Sequence, residues 1–171
     1  MNWIGTRRAV FFLIALACAG MMGFALYLEH YKYLPPCPLC MLQRAAVIGT
    51  GAVALLAALH DPAGRLGGRI YGVLAAVPAL LGVAVAGRHV YIQSQPVGSF
   101  GSCGTTLQHM LDTMPLLATL KRVLLTSGEC AIVDWSLFGI SLPGWVLIGC
   151  IGLALAALWA GFFARRPGGR A

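Results

Sequence analysis

The sequence predicts an all-α membrane protein, a four-transmembrane-helix bundle with a long loop between spans 3 and 4. Of its 171 residues, 59% are hydrophobic and only 10% are charged, and the mean hydropathy is +0.82. A soluble domain carries about 25% charged residues. The apolar residues form four runs of about 20 residues, and each run is long enough to cross a bilayer. Short polar segments separate the first three runs, whereas positions 91–144 separate the third from the fourth.

We place the spans at about 9–28, 40–59, 70–90 and 145–163, within a single integral membrane domain over 1–171. The first run could instead be a secretory signal peptide, because Ala17-Cys18-Ala19 resembles a small-x-small cleavage site. The apolar run continues to Leu28, well beyond that site. An uncleaved first span is therefore the favoured interpretation.

Basic side chains indicate how the bundle is oriented. The net charge is +7, and seven arginines fall on one side of a four-span arrangement: Arg7, Arg8, Arg65, Arg69, Arg165, Arg166 and Arg170. The positive-inside rule then predicts that both termini are cytoplasmic and that the 91–144 loop lies outside. A nucleic-acid partner is not expected, because a basic groove needs a charged, water-facing surface.

A Cys-x-x-Cys motif lies between the first two spans, in Cys37-Pro38-Leu39-Cys40. Proline has a fixed φ and no N–H, so it suits the first turn of a helix that begins at this point. The positive end of a helix favours the thiolate form of cysteine, which exchanges disulfides, binds metals or gives up electrons. The motif alone is shared by redox, zinc and copper sites.

Arg44 lies four residues after Cys40, which places a permanent cation one turn below a thiol. At about 5 Å and an effective dielectric of about 20, such a pair is worth roughly 3 kcal/mol as an upper figure. We therefore expect Cys40 to form its thiolate more readily than Cys37. An arginine near a helix end can also be a simple anchor, but its spacing from Cys40 favours a functional cation.

The six cysteines divide by location. Cys18 and Cys150 lie inside apolar runs and are interpreted as small hydrophobic residues. The other four face outward, where disulfides persist, and can pair in three ways: Cys37, Cys40, Cys103 and Cys130. One pairing joins each Cys to its nearer neighbour, which gives a tight dithiol at the membrane and a looser, exchangeable loop disulfide. A purely structural role for these four remains the alternative.

These motifs follow one another in a characteristic order. CPLC is followed by Arg44, then by Arg88-His89, Cys103, Ser127-Gly128-Glu129-Cys130, Trp135 and Leu142-Pro143-Gly144-Trp145. This series resembles the DsbB family of disulfide bond formation proteins over nearly the whole chain. The resemblance implies a quinone-dependent protein-disulfide oxidoreductase of the bacterial inner membrane, with a periplasmic loop between spans 3 and 4. Such an enzyme reoxidises a periplasmic DsbA-like thiol oxidase and passes the electrons to a membrane quinone, either ubiquinone or menaquinone.

The resemblance also implies a role for each outward cysteine. Cys103 would form the mixed disulfide with the partner, and Cys130 would be its mate in the loop. Cys37 would exchange with Cys130, and Cys40 would be the thiolate beside the quinone. A quinone suits this position energetically, because an oxidant at about −120 mV can be regenerated only by a more positive acceptor.

Two further residues are implied in quinone binding. Arg44 matches an arginine that stabilises the thiolate and the quinone, and His89 falls near a histidine implicated in quinone binding. His89 is equally well interpreted as a plain interfacial histidine. Gln43 is a departure, because a carboxylate can occur there in relatives, so no acid-dependent step is carried over to this position.

Two other functions fit parts of the pattern. An enzyme similar to the vitamin K epoxide reductase type also combines four redox cysteines with a quinone, but its loop cysteines precede the Cys-x-x-Cys motif. A metal-handling membrane protein would use four thiolates for zinc or copper. No cluster of His or Met accompanies the Cys-x-x-Cys motif in the sequence.

Overall fold

The computed structural model describes residues 6–34, 36–62, 64–95, 115, 117–118, 130 and 135–164. Within these ranges the elements in chain order are helices α1 (Arg7–Tyr31), α2 (Pro38–His60) and α3 (Arg65–Gln93), strands β1 (Ser136–Leu137) and β2 (Ile140–Ser141), and helix α4 (Leu142–Phe162). All four helices are long and apolar enough to cross a membrane. The predicted all-α fold class with four packed helices is confirmed.

Each helix begins two to five residues before the predicted apolar run. In α1, α2 and α4 the extra residues carry a capping side chain or a proline, which hydropathy does not detect. Thr6 Oγ1 accepts a hydrogen bond from the Ala9 N–H at 3.4 Å. Pro38 and Pro143 occupy the first turns of α2 and α4, where the absent N–H is not needed.

The helices run alternately up and down. The end of α1, the start of α2, the end of α3 and the start of α4 all border one cavity. At the opposite end of the bundle, the Arg7 guanidinium donates to the Gly64 carbonyl at 3.1 Å, and Arg69 lies over the ring of Phe162. The described arginines of the predicted cytoplasmic side therefore lie at the end remote from the cavity.

Helices α3 and α4 pack closely because small residues line their interface. A Cβ built on Gly72 would lie 2.8 Å from the Gly161 Cα and 2.9 Å from the Ala157 carbonyl oxygen. Buried alanines continue this contact along both helices, including Ala75, Ala79, Ala154, Ala157 and Ala160. Small residues at helix contacts are typical of membrane bundles, because close backbone approach increases the packing between helices.

Cys18 and Cys150 lie in the core, as predicted, with exposures of 4% and 1%. Their side chains pack against glycines of neighbouring helices. A Cβ on Gly51 would lie 2.9 Å from the Cys18 Cβ, and one on Gly82 would lie 2.8 Å from the Cys150 Sγ. Both cysteines therefore act as small apolar side chains that fill the space beside a glycine.

A two-stranded antiparallel hairpin precedes α4 within the stretch that the sequence assigned to a loop. Ser136 pairs with Ser141, and Leu137 pairs with Ile140. The two residues between the strands, Phe138 and Gly139, both have positive φ, of 53° and 77°, as a tight hairpin turn requires. The Trp145 indole N–H donates to the Leu137 carbonyl at 3.2 Å, which fastens the hairpin to the first turn of α4.

Candidate functional site

A cavity of about 120 Å³ lies at the end of the bundle where α2 begins. Its wall combines apolar side chains with a small polar group. The lining residues include Met21, Met22, Leu28, Cys37, Cys40, Gln43, Arg44, Val47, His89, Gln93, Cys130, Trp135, Leu142, Pro143 and Val146. Concave, mostly apolar sites with a few convergent polar groups are typical of ligand and active sites.

The structure brings together five of the six residues that the sequence singled out. Cys37, Cys40, Arg44, His89 and Cys130 all line this cavity, although they come from separate parts of the chain. The sixth, Cys103, lies outside the described residues, as does most of the 91–144 loop. At its two ends this stretch contributes to regular structure, because α3 continues to Gln93 and α4 begins at Leu142.

The Cys-x-x-Cys motif forms the first turn of α2, as predicted. Cys37 is the N-cap residue, and its Sγ accepts a hydrogen bond from the Cys40 backbone N–H at 3.3 Å. The Cys37 thiol also donates to the Cys40 Sγ, with the two sulfurs 2.9 Å apart. The Cys40 N–H at the start of α2 therefore points at the Cys37 sulfur, an interaction that by itself favours negative charge on sulfur.

Cys130 lies beside this turn and is only 2% exposed. Its sulfur, the Cys37 sulfur and a ring nitrogen of His89 lie within 4.8 Å of one another. The Cys37 thiol can give its one proton to Cys40 or to Cys130, and hydrogen bonding to Cys37 is the main cause that lowers the pKa of Cys130 to about 7. The Leu39 backbone N–H contributes in the same direction. Conversely, hydrogen bonding to Cys130 and Cys40, together with burial, raises the pKa of Cys37.

His89 is buried inside this cluster rather than lying at a free interface. It is 3% exposed, and its Nε2 lies 3.9 Å from the Cys37 Sγ. Its Nδ1 contacts the Gln43 side-chain nitrogen at 3.1 Å. Gln43 thus holds the imidazole in place, because Gln43 is also buried, with 4% exposure.

Arg44 has a partner that the sequence analysis did not identify. Its guanidinium pairs with the Glu29 carboxylate at 2.5 Å and donates to the Ala25 carbonyl at 3.4 Å. Both charged side chains are largely shielded, with exposures of 16% and 30%. Arg44 is therefore a paired cation on the cavity wall, and its charge is partly offset by α1.

One signal could have revealed Glu29. An arginine one turn inside a span needs a partner, and Glu29 is the acidic residue between the first apolar run and the Cys-x-x-Cys motif. The contact between Gln43 and His89 carries no such signal, because it depends on which helices are neighbours. Gln93, whose buried Oε1 has no hydrogen-bond partner among the described residues, was likewise not singled out.

Comparisons with known proteins identify the family of the chain. Residues 7–160 match the family described as Disulfide bond formation protein DsbB. A disulfide bond formation protein B of Hahella chejuensis is 45% identical over 96% of this chain and 98% of its own length. A protein of the same name from Acinetobacter baumannii is 47% identical over 89% of each chain, and one from Xanthomonas euvesicatoria is 42% identical over 93% of this chain and 92% of its own. The chain therefore belongs to the DsbB family of multi-pass membrane oxidoreductases for disulfide bond formation.

Proposed function

We propose that this protein reoxidises a periplasmic DsbA-like thiol oxidase and passes the electrons to a membrane quinone. The observation that carries the proposal is the position of Cys130 against the Cys-x-x-Cys turn, beside an apolar cavity. Thiol exchange needs sulfur atoms in contact, and quinone reduction needs a dithiol at membrane depth. Both requirements fit the residues at the start of α2.

The exchange begins on the loop. A partner thiolate attacks the Sγ of Cys103 in a Cys103–Cys130 disulfide, so the old S–S bond breaks and the electron pair leaves on Cys130. The Cys130 thiolate then attacks the Sγ of Cys37 in a Cys37–Cys40 disulfide, and Cys40 leaves as a thiolate. The partner's second thiolate resolves the mixed disulfide, and Cys103 then attacks Cys130 to restore the loop pair. Two electrons thereby move from the partner to the Cys-x-x-Cys pair.

The described sulfurs support the second of these transfers. The Cys130 sulfur lies within 4.8 Å of its acceptor, Cys37, as exchange requires. The Leu39 backbone N–H lowers the pKa of Cys130, and this donor remains available when Cys37 is part of a disulfide. A lower pKa increases the fraction of Cys130 that is thiolate and can attack.

The cavity fits a quinone ring. An engineered cavity of about 150 Å³ binds benzene, and this one is of similar size, with apolar walls from Met21, Val47 and Val146. Arg44 and His89 provide N–H donors on the wall, and the Gln93 Oε1 provides an acceptor without a described partner. A quinone bound there would supply the two-electron, two-proton acceptor that restores the Cys37–Cys40 disulfide. Arg44 and His89 would hold its oxygens, and Cys40 would face it from the first turn of α2.

The orientation of the bundle in the membrane follows from the distribution of its arginines and from the compartment in which disulfides persist. The arginine-rich end of the bundle would lie in the cytoplasm of the bacterial inner membrane, with both termini. The cavity end and the 91–144 loop would then face the periplasm, where disulfides persist. The chain order, with the loop cysteines after the Cys-x-x-Cys motif, favours this function over one of the vitamin K epoxide reductase type.

Trapping a partner tests the order of transfer. A DsbA-like oxidase that lacks its resolving cysteine should be captured covalently on Cys103, and mass spectrometry of the linked peptides identifies the bond. Cys103→Ser should abolish the adduct but leave Cys37 and Cys40 oxidisable by added ubiquinone. Cys40→Ser should still allow the adduct while it stops quinone reduction.

The matched control is Cys18→Ala with Cys150→Ala, which removes the two core cysteines and leaves the four site cysteines in place. This variant should form the adduct as the unmodified chain does. A partner bonded to Cys37 or Cys40 while Cys103 stays idle would contradict the proposed order.

A further inference from the structure

The start of α2 gathers the side chains of a metal site. The sulfurs of Cys37 and Cys130 and a ring nitrogen of His89 lie within 4.8 Å of one another. The Cys40 sulfur is a fourth candidate, 2.9 Å from that of Cys37. Three thiolates and one imidazole form a common structural zinc site, and two cysteines three residues apart have the usual ligand spacing.

The atoms of Cys37, Cys130 and His89 lie close to the spacing that a tetrahedral ion requires, and Cys40 is the ligand that would have to move. With bonds of about 2.3 Å to sulfur and about 2.0 Å to nitrogen, tetrahedral geometry sets ligand-to-ligand distances of roughly 3.5 to 3.8 Å. The Cys37 sulfur and the His89 Nε2 are already 3.9 Å apart. The two sulfurs of the Cys-x-x-Cys turn would separate by about 1 Å, which a side-chain rotation of Cys40 can supply.

Gln43 can support the imidazole in this role. Its side-chain nitrogen contacts the His89 Nδ1 at 3.1 Å, which places the ring proton on Nε2. If the amide turns over, its oxygen accepts from Nδ1–H instead, and the Nε2 lone pair becomes available for a metal. Such an outer partner fixes the tautomer of a ligating histidine and typically changes metal affinity 10- to 100-fold, in order of magnitude.

We propose that the fully reduced site binds one zinc ion through Cys37, Cys40, Cys130 and His89, and that the bound ion blocks thiol exchange. Binding displaces the protons that the three sulfurs carry and moves no electrons. The oxidised site cannot bind in this way, because sulfurs joined in a disulfide offer no thiolate. Zinc is therefore a reversible inhibitor of the reduced enzyme alone, independent of which quinone or partner it uses.

Cobalt is the probe for this site. The purified, metal-free protein in detergent is reduced and titrated with Co²⁺. One equivalent should give the intense visible bands of tetrahedral cobalt and a thiolate-to-cobalt charge-transfer band, and Zn²⁺ should bleach both. Protein oxidised at Cys37–Cys40 should give neither band.

Variants separate this site from chelation by the Cys-x-x-Cys turn alone. Cys130→Ser and His89→Ala should each weaken Co²⁺ binding at least tenfold, while Cys103→Ser and the Cys18→Ala, Cys150→Ala variant should bind like the unmodified chain. Gln43→Leu should weaken binding about tenfold, whereas Gln43→Glu, which can only accept from Nδ1–H when ionised, should retain it. Thermal unfolding of each variant establishes that it is folded.

Octahedral cobalt spectra, or unchanged affinity in folded Cys130→Ser and His89→Ala, would overturn the proposal. These spectra are recorded without quinone or partner. Failure here would therefore leave the proposed electron transfer untouched, and failure of quinone reduction would leave the metal site untouched.

Discussion

The Arg44 guanidinium and the Glu29 carboxylate form a 2.5 Å ion pair across α1 and α2, on the wall of the cavity that contains Cys40. An unpaired arginine one turn inside a membrane span would be costly. Glu29 therefore does two things. It offsets the charge of Arg44, and it holds the guanidinium near the start of α2.

Breaking this ion pair should both destabilise the protein and weaken its interaction with quinone. Glu29→Gln leaves Arg44 unpaired and should lower stability by about 1 to 3 kcal/mol, less than for a fully buried pair because both groups retain some exposure. The Michaelis constant for quinone should also rise, because the guanidinium is no longer fixed. Arg44→Lys should keep the positive charge but lose the planar guanidinium, which can donate two parallel hydrogen bonds to one carboxylate.

A double-mutant cycle checks the coupling. Glu29→Gln, Arg44→Gln and the double variant are compared by thermal unfolding in detergent. The double variant should be less destabilised than the sum of the single variants by about 1 kcal/mol or more. Additive effects would show that the two side chains do not interact in the folded protein.

The alkylation of Cys130 should depend on pH in a particular way. The pKa of Cys130 is lowered to about 7, mainly by the hydrogen bond from Cys37. Its thiolate should therefore be abundant above pH 7 and should disappear as the pH falls through 7. Iodoacetamide treatment of the reduced protein, with peptide mapping by mass spectrometry, gives the midpoint for Cys130.

Cys37→Ala is the matched change, because it removes the donor to Cys130. The alkylation midpoint of Cys130 should then move upward, toward the ordinary thiol value. If the midpoint stays near pH 7 in Cys37→Ala, the hydrogen bond is not what stabilises the thiolate.

Two glycine-to-alanine substitutions in the bundle should differ sharply in their effect on stability. Gly72→Ala places a Cβ 2.8 Å from the Gly161 Cα, against backbone that cannot easily move, and should destabilise by about 1 to 3 kcal/mol. Gly152→Ala meets nothing within 4 Å and should be neutral or stabilising by up to about 1 kcal/mol. Melting temperatures in one detergent compare the two directly, and equal values would show that α3 and α4 do not approach as described.

Cysteine labelling tests the orientation of the bundle in whole cells. Ala63→Cys and Gly168→Cys should resist a membrane-impermeant thiol reagent, because the arginine-rich end is expected in the cytoplasm. Gly98→Cys should react. Each is introduced into a chain that lacks Cys37, Cys40, Cys103 and Cys130, so that no native outward thiol competes with the new one. Reaction at position 63 would overturn the proposed orientation.

Much of the fold was predictable because hydrophobicity and helix length are local properties. The four helices, the Cys-x-x-Cys turn at the start of α2 and the core positions of Cys18 and Cys150 all follow from neighbouring residues. The hairpin at 136–141 was not predicted, since its strands are only two residues each and one turn position is a phenylalanine with positive φ. Its sequence signal is therefore weak.

The composition of the site was predictable, but its contacts were not. The spacing of Cys37, Cys40 and Arg44 placed those residues on one face of α2, over two turns. The pairing of Gln43 with His89, and of Arg44 with Glu29, joins residues 46 and 15 positions apart. Such contacts depend on which helices are neighbours in the bundle. A single sequence does not specify that arrangement.

Stoichiometric quinone reduction tests the central claim most directly. The purified protein is mixed anaerobically with a reduced DsbA-like oxidase and ubiquinone, and the loss of quinone absorbance is compared with the partner thiols consumed. The account predicts one quinone reduced for every two thiols oxidised, with no reduction in Cys40→Ser and normal reduction in the Cys18→Ala, Cys150→Ala control. Partner oxidation that proceeds without quinone loss, or quinone loss that persists in Cys40→Ser, would contradict it.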